Sequence, residues 1–219
     1  MSDYKAFEKK RSVKQFLVAP LFIVILAAGW FYPWLGFFIP LCMFLGIGIA
    51  FFRGRKWCDW FCPRGSFYDS LIKPVSPQKK IPSLFKDMRF RLAVLVVLML
   101  AMTVNLMVRW PYAEKIGAFF VLLLTVTTAL GVVLAVIFHQ RSWCSFCPIG
   151  TVINLMSKTT FPLKIDSQLC IECKACGSVC PIQIAPYKFK KDGIEIIQDS
   201  DCLKCNLCIA ACPKKALAR

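Results

Sequence analysis

Histidine is nearly missing. His139 is the one copy in 219 residues, so a b-type haem held between two axial histidines cannot be built from this chain alone. Charge is scarce too: 18% of residues are charged against 58% hydrophobic, and the mean hydropathy is +0.60. That balance excludes a disordered segment and an ordinary soluble globule. Acidic residues are scarcer still, 12 against 28 Lys+Arg. Up to residue 160 there are 19 basic and 6 acidic residues, and after it 9 and 6. The positive excess therefore belongs to the apolar part of the chain, as in a membrane protein with basic cytoplasmic loops. Nucleic-acid binding is set aside, since it needs basic residues gathered on a solvated face.

Long uncharged runs are what the chain has in abundance. None of the 38 residues between Lys14 and Arg53 is charged, which would make a helix of about 57 Å, far beyond a hydrocarbon core of about 30 Å. Trp30-Phe31-Tyr32-Pro33-Trp34 places interface aromatics and a helix breaker near the middle, so the run predicts two spans, about Phe16–Phe31 and Leu35–Phe52. Further spans are expected over Leu92–Val108 and Ile116–Gln140. Five Lys/Arg precede the first span and ten lie from Arg53 to Arg91, whereas the two opposite loops carry none and two. The reading is a multi-pass protein of a bacterial or archaeal cytoplasmic (inner) membrane with both termini in the cytoplasm. Lys9-Lys10-Arg11 and the apolar stretch to Gly29 resemble a secretory signal, but the apolar run continues to Phe38, which favours an uncleaved span. Residues 73–82, basic and rich in Pro, read as a solvated linker near anionic lipid.

Each helical hairpin is followed by nearly the same sequence, Arg55-Lys56-Trp57-Cys58-Asp59-Trp60-Phe61-Cys62-Pro63-Arg64-Gly65-Ser66 and Arg141-Ser142-Trp143-Cys144-Ser145-Phe146-Cys147-Pro148-Ile149-Gly150-Thr151. Two hairpins and two cysteine elbows suggest a pseudo-twofold membrane half. Twelve of the 13 cysteines fall in four groups, a spacing that reads as metal ligation rather than a disulfide framework.

After Thr160 the chain becomes polar and cysteine-dense, with a boundary expected near Phe161-Pro162, giving a membrane domain over 1–160 and a ferredoxin domain over 161–219. Cys170, Cys173, Cys176, Cys180 and Pro181 spell C-x2-C-x2-C-x3-C-P, and Cys202, Cys205, Cys208, Cys212 and Pro213 repeat it. Three close thiolates wrap one face of a 4Fe-4S cube while the fourth reaches the other cluster. One cluster should therefore take Cys170, Cys173, Cys176 and Cys212, and the other Cys202, Cys205, Cys208 and Cys180. A short strand is expected over Gly193–Ile197, after a turn at Lys191-Asp192. Lys174, Lys188, Lys190, Lys191, Lys204, Lys214 and Lys215 surround the motifs, either as solvated charges or as a face for an acidic partner.

Cys58 and Cys62, four apart, should share one helix face that ends at Pro63; Cys144 and Cys147, three apart, precede Pro148. These four thiols are candidates for an extra iron–sulfur cluster, a soft metal such as Cu(I), a redox-active dithiol, or structural packing. Trp57 and Trp143 read foremost as interface-belt residues, with quinone stacking as the alternative; His139 reads as a hydrogen-bonded interfacial imidazole that ends the fourth span, with proton exchange with a quinol as its alternative, and Cys42 as a small hydrophobe.

Four spans, two W-C-x(2,3)-F-C-P-x-G-[ST] elbows and a doubled ferredoxin motif resemble the membrane ferredoxin family typified by NapH, which also includes the membrane region of NosR and the copper-handling CcoG proteins. The resemblance implies an α-helical membrane protein, four transmembrane helices as two hairpins, with a C-terminal α+β ferredoxin-like domain. It further implies electron transfer between the quinone pool and a redox partner through two 4Fe-4S clusters, as in a quinol dehydrogenase subunit. The alternative within the family is copper handling or redox maturation by the elbow cysteines, and a reading of another class is a redox sensor or scaffold. The second elbow departs from the family pattern, reading C-x2-C-P where three intervening residues are usual, and outer loops of a few residues leave no room for a flavin-binding region of the NosR kind.

Overall fold

A computed structural model of the protein describes residues 2–157, 160, 162–191, 193–197 and 199–219. Among the described residues four helices are long and apolar enough to cross a membrane, within α1 (Ser2–Ala28), at Pro33–Arg53, and as α5 (Met88–Arg109) and α6 (Ala113–Ile137). The second crossing opens with a 3-10 turn, Pro33–Phe37, and continues as α2 (Phe38–Arg53), so Pro33 starts this span as the reading of the aromatic break expected. Large apolar side chains such as Phe16, Phe44, Val97 and Val133 stay exposed on these helices, as lipid-facing residues do.

The first helix begins well before Phe16. Its basic stretch continues the helix inward, because Arg11 and Gln15 are buried against Asp59 and Asp69 instead of being solvated. The fourth span lies three residues earlier than expected, at Ala113–Ile137; Phe138 to Gln140 lie in the connection that follows, where the Phe138 carbonyl accepts from Lys79 N and Gln78 donates to Gln140.

At one end of the bundle each hairpin leads into a pair of short helices. These are α3 (Lys56–Trp60) and α4 (Pro63–Phe67) after the first hairpin, and α7 (Ser142–Phe146) and α8 (Pro148–Met156) after the second. The prolines do more than stop a helix. Each occupies the first position of the next one, where its missing N–H leaves nothing unpaired.

The tail carries a three-stranded antiparallel sheet of order β2-β1-β3, from β1 (Leu163–Asp166), β2 (Ile194–Ile197) and β3 (Leu217–Ala218), with short helices α9 (Ala175–Ser178) and α10 (Leu207–Ala211). Leu163 pairs with Ile197 and Ile165 with Leu217, and these side chains form a core with Cys176. The expected strand is present, but its partner is β1 near the start of the tail. Phe161 of the expected boundary and Asp192 of the expected turn lie outside the described residues.

The tail sits on the elbow end of the bundle through buried polar contacts. Asp201 is held by three membrane-side groups: Arg91 donates to both carboxylate oxygens at 2.5 and 2.6 Å, Asn154 to Oδ1 at 2.9 Å, and Arg55 to Oδ1 at 3.3 Å. Lys204 donates to the carbonyls of Ser157 and Thr160, Lys86 to that of Ile182, and Gln183 bridges Lys79 and Ile81.

Candidate functional site

In both cysteine motifs the backbone turns the same way. Glu172 and Lys174 have positive φ in the first copy, Lys204 and Asn206 at the equivalent positions in the second, and Gln183 and Lys215 each three residues after the fourth cysteine. For side-chain-bearing residues this left-handed conformation is sparsely populated, and its repetition bends the chain into a concave wrap lined by amide groups. Composition gave no sign of it, since none of the six is glycine.

Two small cavities of about 20 Å³ result. Cys170, Cys173, Cys176 and Cys212 line one, and Cys180, Cys202, Cys205 and Cys208 line the other. The structure thus brings together three cysteines of each motif with the fourth of its counterpart, a donor set of four thiols at each site that fits a 4Fe-4S cluster. Burial pushes the Cys180 thiol up to about 11 and that of Cys208 to about 12, so these thiols are neutral until a cluster replaces their protons. Ile184 N donates to Cys180 Sγ at 3.3 Å.

The elbows open on a third cavity, of about 150 Å³, inside the bundle end. Cys58, Cys62, Cys144 and Cys147 all line it, although Cys62 is not on the helix of Cys58 as its spacing suggested: the turn at Phe61 carries it to the head of α4. The apolar wall includes Phe38, Met43, Met99 and Met102, and Cys42 belongs to it. Burial pushes the Cys58 thiol up to about 11 and those of Cys62 and Cys144 upward, with neighbouring elbow cysteines adding to the rise.

Trp57 and Trp143 line this cavity; Trp143 is 3% exposed and so is a cavity-wall residue, with Arg64 stacked 4.5 Å above its ring. Arg64 also donates to the Thr127 carbonyl. Arg55 donates to the Cys144 carbonyl at 3.4 Å, and Arg141 to the Cys58 carbonyl at 3.1 Å with Cys144 Sγ at 3.9 Å.

Arg141 is fully buried and is neutralised by Asp69, whose oxygens accept from Nε and Nη2 at 2.8 and 2.7 Å. Arg11 joins the same group, donating to Asp59 at 2.6 and 2.8 Å and to Asp69 at 2.5 Å. Burial alone would raise the Asp69 carboxyl, yet Arg141 and Arg11 hold it far below the usual carboxylate range. Sequence reasoning assigned these arginines to solvated loops. The available signal was that three of the six acids before residue 160, Asp59, Asp69 and Asp87, stand within the basic stretch from Arg53 to Arg91.

On the far side of this network lies a polar cavity of about 370 Å³ bordered by Asp69, Lys73, His139, Gln140 and the Gly177–Pro181 turn. His139 is 4% exposed, its Nδ1 accepts from Arg141 N at 3.1 Å, and burial lowers its pKa to about 4, so it is a neutral imidazole. Cys58 packs against the core of Ile182, Ile184, Leu203, Cys205 and Leu207, on which Cys180 and Cys202 of the second tail site also pack. Cys208 and Cys212 in turn pack on the core of the first.

A family model described as a 4Fe-4S binding domain matches residues 35–82 and again 117–165, each stretch containing one elbow, and one described as a 4Fe-4S dicluster domain matches residues 144–216. The chain is 27% identical over 186 residues to an uncharacterized protein of Methanocaldococcus jannaschii, covering 80% of this chain and 68% of that protein. It is 26% identical over 180 residues to the ferredoxin-type protein NapH of Haemophilus influenzae, 76% of this chain and 62% of that one, and 24% identical over 191 residues to the putative electron transport protein YccM of Escherichia coli, 76% and 51%. No solved structure matches.

Proposed function

We propose that this chain, which belongs to the NapH-type family of membrane ferredoxin-like proteins, carries single electrons between a quinone in the elbow cavity and a redox partner at the tail, by way of two 4Fe-4S clusters on its eight tail cysteines. Residues 1–160 form the membrane unit and 161–219 the cluster-bearing unit. The elbow end faces the cytoplasm, a reading supported by the ten Lys/Arg from Arg53 to Arg91 against two in the loop between α5 and α6.

When bound, the clusters supply reversible one-electron chemistry, while the protein sets their potential through burial and hydrogen bonds to sulfur. The chain's own residues supply the route. Cys58 packs on the same buried core, which includes Cys205, as Cys180 and Cys202 do, and that shared core is the observation that carries the reading, because it brings the elbow cavity and the second tail site onto one packed cluster. The apolar wall of Phe38, Met43, Met99 and Met102 suits a quinone ring. In the quinol-oxidising direction each quinol gives up two electrons, passed on singly, and two protons, taken up by water; the reverse direction consumes the same.

The test is anaerobic mixing of the purified full-length protein with short-chain quinols and quinones while the iron–sulfur spectra are followed. Reduction by a quinol or oxidation by a quinone is expected, and Met102→Trp, which fills the cavity, should raise KM or abolish the reaction while reduction by dithionite is unchanged. Clusters that dithionite reduces but no quinone or quinol touches would overturn the quinone assignment.

A further inference from the structure

We propose that the two elbows together hold a third iron–sulfur cluster, with Cys58 and Cys62 as ligands from the first repeat and Cys144 and Cys147 from the second. The donor set has the right number and kind: four thiols border one cavity, and among the described residues no carboxylate or imidazole lines it. Hard cations are excluded by that chemistry, whereas a cubane takes four thiolates.

The polar atoms around the thiols carry the assignment further. Arg55 Nε, Arg64 Nε and Trp143 Nε1 are buried N–H donors without an acceptor, and all three residues line this cavity. A buried donor left unpaired is costly, and three of the residues that border this one cavity each carry such a donor. The sulfides and thiolates of a cluster are acceptors, and its net negative charge answers the guanidinium of Arg64, while Arg141, already paired with Asp69, stands 3.9 Å from Cys144 Sγ. Among the described residues Arg64 forms no salt bridge, so its charge has no other evident counterpart.

Space allows it. The elbow cavity is about 150 Å³ where each tail site, lined by the same four-thiol set, is about 20 Å³. The cluster would occupy the thiol-lined end and leave the methionine-lined end open, so the assignment stands whether or not a quinone enters.

Iron and acid-labile sulfide are counted in full-length protein purified anaerobically in detergent, with EPR on the same sample and on membranes before extraction. About twelve irons and twelve sulfides per chain are expected, falling to about eight in Cys58→Ser/Cys144→Ser with the two tail signals retained, which also shows that the variant has folded. Trp143→Phe removes one donor while keeping the ring, and should leave the iron count at about twelve but lower the midpoint potential of the third signal alone. About eight irons in the parent overturns the proposal, as does an elbow occupied by copper or zinc beside eight irons. Should the double cysteine variant not accumulate, the Trp143→Phe potential decides: a third signal that shifts alone upholds the cluster, and no third signal or no selective shift rejects it.

Discussion

Arg55 and Arg141 each serve the other's elbow. Arg55, from the first repeat, donates to the carbonyl of Cys144, and Arg141, from the second, donates to the carbonyl of Cys58. Glycine makes the space for both: a Cβ on Gly65 would stand 2.9 Å from Cys58 O and 3.0 Å from Arg141 Nη1, and one on Gly150 would stand 3.1 Å from Arg55 Nη2. The internal repeat is thus a reciprocal clasp, with the arginine and the glycine of each copy completing the other.

Gly65→Ala is expected to cost about 1–3 kcal/mol, because the carbonyl it meets is backbone and cannot swing away. Gly150→Ala, whose nearest neighbour is a guanidinium end, should cost less. Thermal unfolding of both variants in detergent checks the order, and equal losses would count against the clasp.

Asp201→Asn leaves Arg55 and Arg91, each 2% exposed, facing a neutral amide. A loss of about 2–4 kcal/mol is expected on breaking this largely buried pairing, read as earlier release of the tail in proteolysis. Burial would raise the Asp201 carboxyl, but Arg91 and Arg55 hold it below its ordinary value. Its contribution is therefore complete above the unfolded value of about 3.9 and is lost as pH falls through the lower folded value.

His139 gives a different pH window. Burial depresses its folded pKa to about 4, so the unfolded chain binds the extra proton first, and stability falls as pH drops from about 6.5 to about 4, by up to about 3 kcal/mol. His139→Gln should flatten that segment of the stability curve and leave the region above pH 7 unchanged.

Cys180→Ala and Cys212→Ala should each remove about four irons, but in crossed fashion. Loss of Cys180 should silence the site lined by Cys202, Cys205 and Cys208, and loss of Cys212 the site lined by Cys170, Cys173 and Cys176. EPR of the two variants tells the sites apart, and the uncrossed pattern would refute the pairing.

The four spans and the doubled motif were legible because their signals are local: uncharged runs of membrane length, and cysteines at fixed short spacing. The buried ion network was not. Arg11 meets Asp59 across 48 residues and Arg91 meets Asp201 across 110, and a positive charge in a loop reads the same whether it faces lipid headgroups or a distant carboxylate. Trp143 misled for a related reason, since a tryptophan just past a span suits the interface belt as well as a cavity wall. The left-handed residues in the motifs were hidden by their side chains, Glu172 and Lys174 being nothing like the glycines that announce such turns.

Asp201 stands one residue before Cys202, and it neutralises arginines that belong to the membrane-embedded part. The lipid-inserted half is therefore electrostatically unfinished until the tail has folded against it. Biogenesis acquires an order from this arrangement: until the tail has folded, the guanidiniums of Arg55 and Arg91 lack the carboxylate that pairs with both.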